Sequence, residues 1–135
     1  MSEAANVETM KQFYAAFLAG DISQVLNLVT DDFVLSNDFT ANVATAGEFN
    51  GKEGLEKFFT LLGEVVIEVK SFVAEEFIAD GDKVVALGNE QMQVRETGRW
   101  VSARWAQVGT FRDGKMCRWV EYSDTAAWQE GCSVS

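Results

Sequence analysis

The sequence predicts an α+β fold in which helices come first and a mostly antiparallel sheet follows. Two patterns carry that expectation. In the first half, apolar residues recur at three- and four-residue spacing, the period of one helix face. From Glu64 onward, β-branched and aromatic stretches alternate with "DGDK", "ETGR" and "RDGK", which are tight-turn sequences. No proline interrupts either half, and 135 residues suffice for one domain with one buried core.

Met10, Phe13, Tyr14, Phe17 and Leu18 form the first apolar stripe, which ends at "AGD". Gly20 can stop that helix, and Asp21 can cap the next, whose stripe is Ile22, Val25, Leu26 and Val29. A short strand is expected around Phe33 to Leu35. Residues 36–50, "SNDFTANVATAGEFN", show no steady period and read as a long loop of the kind that forms lids or site walls. A third helix follows, with Leu55, Phe58, Phe59 and Leu62 on one face.

Four strands then run from Val65 to Ile78, from Val84 to about Arg95, from Trp100 to Arg112 and from Met116 to about Ser123. Asp124 and Thr125 suit the cap of a short helix starting near Ala126. The single domain is expected over 1–135, with a core from about 7 to 128 and a flexible tail at 129–135. Three helices on such a curved sheet would make a cone-shaped α+β barrel enclosing a cavity.

Period two sorts the later strands into faces. Val101, Ala103, Trp105, Gln107, Gly109 and Phe111 share one face, and Lys115, Cys117, Trp119, Glu121 and Ser123 share another. If both line the interior, Gln107 and Glu121 are the polar exceptions on an apolar wall. The opposite faces carry Arg104, Val108 and Arg112, then Arg118, Val120 and Tyr122, a mixture suited to a homodimer contact through the outer face of the sheet.

A formal charge of −10 argues against a surface that tracks nucleic-acid phosphates. No apolar run approaches a membrane span, and the start lacks a secretory pattern, so the expected location is the cytoplasm. Cys117 and Cys132 read as free thiols without metal-ligand neighbours, so no metal is expected; no other cofactor is expected either. The chain has no histidine, so acid–base chemistry falls to carboxylates, tyrosines or lysines.

"FYAAFLAGDISQVLNLVTDDFVL", "GEFNGKEGLEKFF", "VALGNEQMQVRETGRWV" and "FRDGKMCRWVEYSDTAAW" together resemble SnoaL-like proteins of the nuclear transport factor 2-like, or ketosteroid isomerase-like, superfamily. The resemblance runs from about Val7 to Trp128 and implies the cone-shaped fold. It does not carry over every catalyst of the superfamily. The helix-one tyrosine of ketosteroid isomerases falls on Phe13, their base on Asn37, and their second acid near Val108. The polar residues of limonene epoxide hydrolases fall on Gln91, Gln93 and Glu121. The acid/base carboxylate of SnoaL-like polyketide cyclases matches Glu121, and a histidine common among them matches Gln107.

Glu121 is therefore the candidate catalytic residue, as a general acid or base for cyclisation, isomerisation or dehydration of a small apolar carbonyl compound. The same carboxylate could instead pair with Arg95, Arg104 or Arg118, or stand exposed at the rim. Gln107, Gln91 and Gln93 are candidates for holding a ligand oxygen. Trp105 and Trp119 are candidates for stacking on a flat ligand, and Asn37 and Tyr14 for the cavity mouth. A non-catalytic binding domain or a structural dimerisation module would share all of these features.

Overall fold

The computed structural model describes residues 2–134, so Met1 and Ser135 lie outside it. Ser2 caps α1 (Glu3–Leu18) by accepting from the Ala5 amide, and Gly20, at φ 71°, releases the chain from that helix. Asp21 caps α2 (Ile22–Asn27) through the Gln24 amide. Val29 does not continue that helix. It opens β1 (Val29–Asn37), a strand longer than the sequence predicted, and the 36–50 stretch ends in the short strand β2 (Glu48–Asn50). The helix α3 (Gly51–Val65) leads into β3 (Val66–Asp80), β4 (Lys83–Val94), β5 (Trp100–Arg112) and β6 (Lys115–Ser123).

The six strands lie in the order β2-β1-β6-β5-β4-β3, with β1 parallel to β6 and the other neighbours antiparallel. The sheet is open rather than a closed barrel, because β2 and β3 stand at opposite edges. Asp113 and Gly114 both take positive φ between the paired Arg112 and Lys115, so "RDGK" forms a two-residue type I′ hairpin.

One face of β6 departs from strict alternation. The β5–β6 register steps from Thr110↔Arg118 to Phe111↔Met116, which leaves Cys117 as a bulge. Met116 is therefore buried against the core, while Lys115 is exposed and Cys117 only partly covered. Beyond the bulge the predicted face holds: Trp119 is buried, and Glu121 and Ser123 follow on the same side.

The chain end also differs from the expected tail. Asp124 caps α4 (Thr125–Gly131) by accepting from the Ala127 amide, so residues 129–131 finish a helix and Cys132 is buried behind it. Gly131 packs so closely on Val101 that a Cβ there would collide with its methyl group.

Two hydrophobic clusters result. The larger joins α1 and α3 to the sheet through Phe13, Phe33, Leu55, Phe58, Trp105 and Trp119. The smaller gathers Val43, Met92, Val94, Val101 and Trp128 near α4. Leu62 and Phe72 pack against both clusters. Among the described residues, no helix is long and apolar enough to cross a membrane.

Candidate functional site

A cavity opens at the seam between the two clusters. Phe58 and Trp119 of the larger cluster, Met92 and Trp128 of the smaller, and Leu62 and Phe72 between them supply its apolar wall. Its polar groups are Glu90, Gln107, Glu121 and Thr45. The empty space is about 420 Å³ with the mouth included, but only about 40 Å³ admits the centre of a water molecule. One water needs roughly 10–15 Å³ on that measure, so this form holds a few waters or a small chemical head group.

Strand pairing places the first half of the polar line. Gln107 on β5 lies directly opposite Glu121 on β6, which leaves the two side chains as cross-strand neighbours on the inner face. The Gln107 Nε2 donates to Glu121 Oε2 at 2.7 Å, and Tyr14 Oη donates to Gln107 Oε1 at 2.7 Å. The chain of donors therefore runs from helix α1 across the sheet and ends on a carboxylate. Gln107 is almost fully buried, and both ends of its amide are used.

Burial pushes the Glu121 carboxyl up to about 7, against the hydrogen bond from Gln107, which favours the ionised form. Burial, and then the Glu121 charge, hold the Tyr14 phenol above its ordinary range, so it remains a donor. Among the described residues, the ion pairs are Lys52–Asp31 and Arg112–Asp32, and neither involves Glu121. The alternative pairing of Glu121 with Arg95, Arg104 or Arg118 is not found among the described residues. Arg95 instead donates to the backbone carbonyls of Gly63, Glu64 and Val66.

A second acid stands in the same cavity, and the sequence reading missed it. Glu90 on β4 is only 4% exposed and accepts from Trp128 Nε1 at 2.9 Å, a donor brought in by α4. Burial, and then the Glu121 charge, push its carboxyl up to about 8, with the indole hydrogen bond acting the other way. The signal was available in period two. Val84, Ala86, Glu90, Met92 and Val94 share the buried face of β4, and Glu90 is the only charged residue among them.

The same alternation places Gln91 and Gln93 on the opposite face of β4, away from the cavity. Gln91 faces an outer groove with Lys70 and Trp100, and Gln93 Nε2 donates to the Gly98 carbonyl in the β4–β5 turn. Asn37 does not line the cavity either. Its Oδ1 accepts from the amides of Phe39 and Gly47 and its Nδ2 donates to the Thr45 carbonyl, so it closes the 38–47 loop on itself. That loop presents Phe39 and Thr45 to the cavity, the role of site wall expected of the segment.

The two tryptophans divide. Trp119 lines the cavity, and its buried Nε1 has no hydrogen-bond partner. Trp105 lies outside the cavity lining. It stacks on Phe72 with ring centroids 4.9 Å apart and covers Gly88, where a Cβ would collide with the indole and with the Val73 carbonyl. Phe13, at the position matched to the isomerase tyrosine, is wholly buried and meets Trp119 edge to face, while its neighbour Tyr14 reaches the polar line.

Comparison with known proteins agrees with this architecture. Among solved structures, an NTF2-like protein from Burkholderia xenovorans LB400 superposes with a TM-score of 0.90 at 28% identity, covering 98% of this chain and 99% of that one. TerC, co-crystallised with polyporic acid, superposes at 0.85 with 26% identity over 95% of this chain and 98% of its own. A protein from Jannaschia sp. CCS1, assigned as a SnoaL-like polyketide cyclase, shares the fold at 0.83 and 19% identity, covering 98% of this chain and 94% of that one. A search of curated proteins gives no match. The family model for the SnoaL-like domain matches residues 10–119, most of the chain including both Glu90 and Gln107. The chain belongs to the SnoaL-like domain family.

Proposed function

We propose that this protein is a cofactor-independent acid–base catalyst that removes a proton from the carbon next to a carbonyl in a small, mostly apolar molecule. The observation that carries the reading is the Glu121 carboxylate, held by Gln107 in an apolar cavity that raises it to about 7, near the pH where a general base works best. In this reading Glu121 takes the α-proton as base. Glu90, kept neutral by its surroundings, offers its own proton as a hydrogen bond to the carbonyl oxygen, where negative charge develops. Gln107 and Tyr14 position Glu121. The resulting enolate is the common first intermediate of aldol-type cyclisation, isomerisation across the carbonyl and dehydration of a β-hydroxy ketone.

The test is deuterium exchange at the α-carbons of small enolisable ketones in D2O, followed by proton NMR. Wild type should exchange them well above background and Glu121→Gln should not. Equal rates for both would overturn the assignment.

A binding domain without turnover is the second reading. It is favoured by the way Tyr14, Gln107 and Glu121 satisfy one another with no ligand bond required. Polyporic acid, the ligand crystallised with TerC, is a suitable probe, because tryptophan quenching reports binding whether or not chemistry follows. Binding that survives Glu121→Gln, with no exchange in either protein, selects this second reading.

We further propose that two copies pair through the outer face of the sheet, where Val73, Ile78 and Tyr122 are about half exposed. A sedimentation coefficient that stays monomeric across concentrations would sink the dimer.

A further inference from the structure

The cavity shares part of its wall with a second hollow. Phe17, Leu62 and Met92 line the acid-bearing cavity on one side and, on the other, an open groove bordered by α1, α2, α3 and β3. Every side chain of that groove is apolar, with glycine at the remaining positions. Ile22, Phe59 and Val69 are among them, and Val69 is 45% exposed. The groove has a volume of about 230 Å³, whereas the cavity has about 40 Å³. A ligand with its polar head among the acids therefore has little room for an apolar body in the cavity. The adjoining groove has that room and offers no side chain to a polar group.

The dividing wall is made of movable parts. Met92 is unbranched, and Leu62 and Phe17 are only partly buried, so a change of rotamer at these three side chains is the smallest movement that would join the two spaces. We infer that the ligand of this cavity is an amphiphile: a small carbonyl head lies beside Glu90 and Glu121, and a straight hydrocarbon chain passes the Phe17–Leu62–Met92 wall into the groove. This rests on the reading of the cavity as a ligand site and adds to it the class of molecule. Phe17, Leu62 and Met92 are then the specificity-determining residues, since they set where head ends and chain begins.

The probe is a series of methyl ketones from 2-butanone to 2-decanone, with binding followed by quenching of tryptophan fluorescence. Affinity should climb roughly fourfold per methylene once the chain enters the groove, the factor expected for burying one CH₂. Gly63→Phe fills the groove from α3. The position is exposed and helical, and a Cβ there meets nothing within 4 Å, so the acids are left undisturbed. Val69→Lys, which sets a charge on the exposed flank, repeats the test should the first variant fold poorly. Both variants should flatten the series for long chains and leave 2-butanone binding unchanged. A wild-type series that is flat with chain length, or one that both variants leave as steep as before, overturns the inference. Exchange of short ketones with no chain-length effect overturns the groove alone. A chain-length effect without exchange overturns the catalytic reading alone.

Discussion

The two walls that carry the acids have the same kind of side chain and opposite surroundings. On the β5–β6 wall, Glu121 ends a line of polar groups that begins at Tyr14, and each link is 2.7 Å long. On the β4–α4 wall, Glu90 stands among apolar neighbours with one indole donor at 2.9 Å. Burial raises both acids, and the Glu121 charge raises Glu90 further. Under the proposed function, this contrast is how a single residue type would supply both a base and an acid at one pH, with the separation coming from environment.

Removing the base should have the largest effect. Glu121→Gln should slow α-proton exchange by about 10²–10⁴-fold, the usual contribution of a positioned general base. Glu90→Gln keeps a hydrogen-bond donor in place and should cost less, so a larger loss in Glu90→Gln than in Glu121→Gln would reverse the assigned roles.

Stability against pH comes next. Both acids have folded-state values, about 8 and about 7, above their ordinary 4.5. Folding therefore favours the protonated forms. The associated stability is full below about pH 4.5 and is lost as pH rises toward 8, with a slope of up to about 1.4 kcal/mol per pH unit for each acid. Urea midpoints at pH 5 and pH 8.5 should show wild type weaker at the higher pH and Glu90→Gln less affected. A midpoint that rises with pH over that window would contradict the burial of both groups.

The coupling sharpens the comparison further. The Glu121 charge raises the Glu90 carboxyl, whereas the shift of Glu121 comes from burial against the Gln107 hydrogen bond. In carboxyl-carbon NMR titrations, Glu121→Gln should therefore lower the Glu90 value clearly, and Glu90→Gln should leave the first ionisation of Glu121 nearly unmoved. Symmetric shifts would mean that the two share the first proton equally.

The smallest expected change concerns the supports. Trp128→Phe removes the donor that favours ionised Glu90, so the Glu90 carboxyl should titrate still higher. Tyr14→Phe leaves the buried Oε1 of Gln107 without its partner, at a cost of about 1–3 kcal/mol in stability. No loss in the latter would mean that water replaces the phenol.

Most of the fold was legible because local chemistry and periodicity agree over long stretches. The "AGD" break, the cap at Asp21 and the "RDGK" hairpin each depend on a few adjacent residues, and each forms where it was read. The candidate site was less legible. Glu121 and Gln107 were placed on one wall by period two, and they do meet across β5 and β6. The same rule, applied to β4, would have exchanged Gln91 and Gln93 for Glu90. The bulge at Cys117 shows where the rule breaks: one extra residue turns Lys115 outward and Met116 inward.

By itself, then, the sequence determined the order of helices and strands, their ends and most of their buried faces, because these follow from backbone conformation and from spacing along a few residues. Only the tertiary structure decided which polar groups share the cavity. Tyr14 and Gln107 are joined across α1 and β5, and Glu90 and Trp128 across β4 and α4. The raised pKa values of the two carboxyls arise from the same packing, since desolvation depends on every element that closes around a carboxylate and not on its neighbours in the chain.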